Sequence, residues 1–130
     1  MLWLLLLRLY LFALVPANFA VELMKTLPSL GLRGAPAAIE LVVHGAAAAL
    51  AAVAGWMIYV RNPAAPRLAA AALVANAATT IQTLSWSYLP NQLAPGSATP
   101  LAAVTALHAA VWLVYLRRST TVRRLFSSAP

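Results

Sequence analysis

The stretch "AIELVVHGAAAALAAVAGWMIYVRN", residues 38–62, decides the fold. From Leu41 to Val60 it holds twenty residues without a formal charge, most of them Ala, Val, Leu and Gly. As an α-helix, twenty residues measure about 30 Å, the thickness of a bilayer's hydrocarbon core. A helix apolar on every side belongs in a protein core or in lipid. At one end, Glu40 and His44 stand four residues apart, one helical turn on the same face. They pose the functional question: a polar pair that fixes helix packing, or ligands for something bound.

The rest of the 130 residues follows that stretch: 63% are hydrophobic and only 8% charged, with a mean hydropathy of +0.83. A soluble domain needs far more polar surface, so the bilayer is the expected solvent. The length suits a single domain. Cysteine is absent, which excludes disulfides, thiolate metal sites and cysteine nucleophiles together. The net charge of +7 is not read as nucleic-acid binding, because Lys and Arg cluster at the ends of apolar runs, as in membrane proteins.

Apolar windows predict four spans, at residues 2–24 (kinked at Pro16), 36–60, 66–89 and 100–116, with a basic tail over 117–130. Proline stands at or near the start of the last three, where its missing N–H costs nothing. The connections "TLPSLGLRGAP", "RNPAAP" and "LPNQLAPGSATP" read as turns. Short links between long helices give an all-α, four-helix up-down-up-down bundle. Arg8, Arg61, Arg67, Arg117, Arg118, Arg123 and Arg124 fall on one side, against Lys25 and Arg33 on the other. The excess of basic residues points both termini to the cytoplasm of a bacterial inner membrane. "LWLLLLRLYLFALVPA" is expected to be an uncleaved first span, since Arg8 interrupts the apolar run. The tail, with Leu125 and Phe126 among arginines, is read as lying along the inner leaflet or as a solvated topology signal.

Packing in lipid relies on small residues and polar contacts. The expected seams are Gly45, Ala48, Ala51, Ala52 and Gly55 on the second span, and Ala69, Ala72, Asn76, Thr79, Thr80 and Thr83 on the third. The acidic residues and histidines number four: Glu22, Glu40, His44 and His108. Counted from the span ends, both histidines lie roughly 12 Å below the outer surface, with Asn76 and Gln82 near that level. Ionisable residues at membrane depth are costly and often functional.

Three readings stand side by side. Glu40 and His44 could bond each other or neighbouring polar groups, with Glu22 pairing with Lys25, for packing alone. His44 and His108, on diagonal helices, could ligate a b-type haem. Glu22, Glu40, His44 and His108 could bind zinc or iron. A proton or substrate path through the same cluster completes the set. Arg8 has no acidic partner at its depth, so it either reaches the cytoplasmic phosphates or marks an interface with another subunit.

The closing stretch "HAAVWLVYLRRSTTVRRLF" resembles the end of a bacterial four-span family, the domain-of-unknown-function family 2569. That family closes on W-x-x-Y-x-x-x-S-x-R-V-x-x-T-F, and Trp112, Tyr115, Ser119, Val122 and Phe126 match it. Thr121 and Leu125 depart from it. The turn "RNPAAPR" is also similar to a basic, proline-containing turn there. The resemblance implies four spans with cytoplasmic termini and brings no activity. Arg8 and "ELVVHGAAAALAAVAG" also resemble DoxX-like four-span proteins, which implies a link to quinone-dependent redox complexes.

Aspartate is absent, no glycine loop could cradle a phosphate, and the soluble loops are too short for a catalytic pocket. An enzyme is not expected. The almost purely alanine inner half of the middle spans speaks against a permease. The leading expectation is a small inner-membrane accessory or assembly subunit, with other subunits or a second copy as partners. The alternative is a redox or metal-binding protein using His44 and His108.

Overall fold

The computed structural model describes residues 1–89 and 93–127; residues 90–92 of the last expected turn and 128–130 of the tail lie outside them. Among the described residues all regular structure is helical. In order come α1 (Leu2–Leu9), a π-helical turn (Tyr10–Leu14), α2 (Val15–Thr26), a 3₁₀ turn (Leu27–Ser29), α3 (Leu30–Tyr59), α4 (Ala65–Ser85), α5 (Ala98–Arg118) and α6 (Thr120–Phe126). The stretch from Leu2 to Tyr59, α4 and α5 are all long and apolar enough to cross a membrane.

Pro16 explains the π turn. Proline has no N–H to offer the carbonyl four residues back, and its ring presses on that carbonyl. The ladder widens just before it, so that the Val15 N–H reaches the Tyr10 carbonyl, five residues away. The expected kink at Pro16 is thus absorbed as a π turn within a continuous helix.

The first connection differs from expectation. Residues 25–33 are mostly helical, with Pro28 in the first turn of the 3₁₀ segment. Reversal is concentrated at Gly34, whose φ of +77° and ψ of −171° interrupt α3. Only glycine adopts that conformation without strain. Ala35 and Pro36 then restart the helix. The two arms run antiparallel: Gly55 meets Phe12, Gly45 meets Phe19, and Arg8 lies on Tyr59.

α4 returns along α3 through buried Ala48, Ala51 and Ala54 against Ala65, Ala69 and Ala72. Small side chains let the backbones come close, which is how helices gain contact in lipid. The expected seam on α3 in fact serves two neighbours, because its glycines face the first arm. α5 packs closely on α4. Its contact with the first arm is aromatic: Trp3 meets Trp112 edge-on at 5.9 Å and Tyr10 meets His108 at 4.8 Å.

Two ends depart from the expected bounds. α4 stops at Ser85 rather than Leu89, because Trp86 is extended and Leu89 packs beside Ala37 and Leu41. The tail does not simply trail along a surface. Ser119 caps α6 by accepting from the Val122 N–H, and Val122 and Phe126 are buried in the same core as Leu4 and Ile58.

α3 closes with Arg61 in the left-handed region, φ +54°. The Asn62 N–H reaches the Met57 carbonyl and the Arg61 N–H the Ile58 carbonyl, at 3.0 and 3.3 Å. Glycine is the usual occupant of such a cap. An L-residue there costs about 1–2 kcal/mol, and the backbone freedom of glycine offsets part of that. Arg61→Gly is therefore expected to raise the thermal midpoint in detergent, by up to about 1 kcal/mol in stability. A lower midpoint would mean that the side chain of Arg61 contributes more than its backbone costs.

Candidate functional site

The polar side chains of the first arm, α3 and α4 form one connected network. Glu22, on α2, places both carboxylate oxygens at 3.0–3.1 Å from His44 Nδ1 on α3. On the other side of the ring, Nε2 lies 3.4 Å from Gln82 Oε1 and 3.4 Å from Thr83 Oγ1, both on α4. Gln82 gives its amide N–H groups to Glu40 Oε1 and the Trp86 carbonyl, which fixes its oxygen toward His44. The Thr83 hydroxyl donates to the Thr79 carbonyl. Every partner of the His44 ring is therefore an acceptor, and the doubly protonated imidazolium is the form that satisfies all of them. The ring is buried, while Glu22 keeps about a quarter of its surface.

Glu40 has another task. Its carboxylate accepts from the Ser87 hydroxyl and, at 2.8 Å, from the Tyr88 N–H. These bonds, with that from Gln82, hold the extended segment after α4 across the start of the second arm. Arg33 adds a bond to the Tyr88 carbonyl at 3.1 Å. A buried carboxylate with three donors is stable as a clamp and has little lone-pair capacity left for a metal.

His108 stands apart. Its Nε2 accepts from the Trp112 indole N–H at 2.8 Å. It shares the level of Tyr10, whose hydroxyl accepts from Asn76 at 3.0 Å. Asn76 precedes Gln82 on α4, and Tyr10 lies twelve residues before Glu22, the partner of His44, on the first arm, so His108 lies deeper than His44. The expectation of equal depth fails because residue counts from span ends ignore how far α5 is displaced along its neighbours.

Glu22, Glu40, His44 and His108 are thus not brought together as a set. Glu22 and His44 pair; Glu40 and His108 are engaged elsewhere. Among the described residues no group of three or more His, Cys, Asp or Glu could hold a metal ion. Bis-imidazole haem ligation does not fit either, with unequal heights and the His108 Nε2 lone pair already used. The expected Glu22–Lys25 and Glu40–His44 bonds are replaced by Glu22–His44 and by a link through Gln82.

Between the first arm and α5 lies a cavity of about 540 Å³. Glu22, His44, Asn76, Thr79, Thr83 and His108 contribute to its wall, and Asn18 and Lys25 to its rim. Val21 and Val104, which flank the opening, are 50% and 62% exposed. His108 and Asn18 are exposed as well. Trp112 as the partner of His108 was within reach of sequence reasoning, being four residues on. Tyr10 and Asn18 carried no comparable signal. At the other end Arg8 lies over the Tyr59 ring at 4.2 Å, so an aromatic face takes the place of an acidic partner.

A membrane protein built of closely packed apolar helices, with a polar cavity at a loosely closed seam, is the class these features define. The chain belongs to the family described as protein of unknown function (DUF2569), whose model matches residues 2–127. The likeness to DoxX-like proteins is not shown. No curated protein and no solved structure matches the chain.

Proposed function

We propose that this is a protein of the bacterial inner membrane that crosses it four times in up-down-up-down order, with both termini cytoplasmic. In this reading it has no chemistry of its own and serves a larger membrane complex as an accessory or assembly subunit. The distribution of basic residues supports the orientation: Arg8, Arg61, Arg67 and the tail arginines at one end, Lys25 and Arg33 at the other.

One observation carries the accessory role. At membrane depth the seam between α2 and α5 is polar and open, with Asn18 and His108 exposed beside the Glu22–His44 pair. Polar groups facing acyl chains are costly, and proteins cover them with protein or line water-filled space with them. A partner's transmembrane segment with polar side chains of its own would close this seam.

The chain has no cysteine, so single ones can be introduced cleanly. Cysteine at Val21 or Val104 flanks the seam; cysteine at Val42 or Val74, also exposed, lies on other faces. Crosslinking in native membranes is expected to give one defined heavier adduct from the seam positions and none from the controls. The same result from all four positions, or a lone monomer on a native gel, would overturn the proposal. An adduct made of two copies of this chain would replace it with self-association.

A further inference from the structure

We propose that the opposite end of the molecule holds a specific site for one anionic phospholipid, independent of any partner at the seam. A groove of about 510 Å³ runs between the start of α1, the end of α3 and α6. Arg8 and Arg61 stand on it with Tyr59, and its apolar wall includes Leu2, Leu5, Ile58 and Phe126. Leu2 and Leu5 are 65% and 47% exposed, so the apolar wall is open to the surroundings.

Charge complementarity names the occupant. The chain has two acidic residues, and Glu22 and Glu40 are both bound within the network at the other end. No carboxylate side chain is available to neutralise Arg8 or Arg61. Yet Arg8 lies six residues into α1, about 9 Å along it, too deep to be left without a counter-charge at low cost. The Tyr59 ring holds the guanidinium in place from one face, leaving its N–H fork for an acceptor. A guanidinium fork suits phosphate oxygens. Arg61 reaches the same groove from a backbone conformation that is strained for arginine, and such strain gathers where a side chain is needed for binding. Two guanidiniums above an apolar trough match a phosphodiester headgroup with an acyl chain below it. Basic pockets between membrane helices recognise anionic headgroups in this way.

The test uses the full chain in an uncharged detergent, with phosphatidylglycerol or phosphatidylcholine added in mixed micelles and inorganic phosphate as a third arm. Native mass spectrometry counts retained lipid, and the thermal midpoint is followed in parallel. One retained phosphatidylglycerol and a raised midpoint are expected, with no such effect from phosphatidylcholine or phosphate. Charge-assisted hydrogen bonds of the usual strength make each of Arg8→Gln and Arg61→Gln about tenfold weaker in retention. Arg117→Gln/Arg118→Gln removes two charges from the same end and should leave retention unchanged. Leu5→Trp fills the trough without altering charge and should also release the lipid, which keeps the test valid if Arg8→Gln fails to fold. Equal retention of both lipids, equal loss in the tail variant, or full stabilisation by phosphate alone would each overturn the site.

Discussion

Glu22→Leu is expected to destabilise the protein by about 3 kcal/mol, measured by reversible unfolding in mixed micelles. The variant leaves the His44 ring buried with one side facing nothing that can accept, while the other still faces Gln82 and Thr83. Breaking one partner of a buried ion pair costs about 3–5 kcal/mol. The lower figure applies because Glu22 is partly exposed. His44→Leu should cost a comparable amount, since it leaves a carboxylate at membrane depth. The double variant is the informative one. Replacing both members by apolar groups of similar size is often neutral, so Glu22→Leu/His44→Leu should recover most of the single losses. Only Gln82 Oε1 would then lose the contact that His44 gives it. Strictly additive losses would show that the two side chains do not act as a pair.

That pair also marks where the sequence was legible and where it was not. Uncharged stretches of about twenty residues identify membrane helices from first principles, and α3, α4 and α5 start or end within a few residues of the expected bounds. Proline at helix starts and the small-residue seams were readable for the same reason: they express local geometry. What failed needed tertiary information. Nothing local says that Gly34, and not Pro28, is the point of reversal, since both are turn formers and only the positive φ at Gly34 separates them. Nothing local places His108 beside Tyr10 and not beside His44, because helix displacement depends on the bulk of Trp3, Tyr10 and Trp112 packed between α1 and α5. The partners of Glu40 were not legible for a related reason. Its donors, Ser87 and Tyr88, lie beyond the end of α4, where the sequence read a continuing helix. Titratable residues near one level of a bundle are therefore a weak guide to a shared ligand until each one's hydrogen-bond partners are known.

Gly45 and Gly55 of α3 should respond very differently to the same small change, and the difference measures how tightly the arms are locked. A methyl group on Gly45 would come within 3.0 Å of Phe19 Cζ, the far end of a ring that can swing aside. Alanine in a helix interior is favoured over glycine by about 0.5–1 kcal/mol. Gly45→Ala should thus be close to neutral. A methyl group on Gly55 would stand 2.8 Å from Phe12 Cβ, 2.9 Å from its N and 3.0 Å from its Cα. Those are backbone-fixed atoms in the π turn, and they can retreat only if the whole first arm moves. Overpacking of that kind costs about 1–3 kcal/mol, so Gly55→Ala should lose about 2 kcal/mol despite the gain in helix propensity. Gly55→Leu should prevent the arms from closing altogether. Unfolding of the two alanine variants in the same mixed micelles decides the matter. Equal effects at 45 and 55 would mean that the first arm is free to shift along α3, and then the Glu22–His44 contact could not be held by packing.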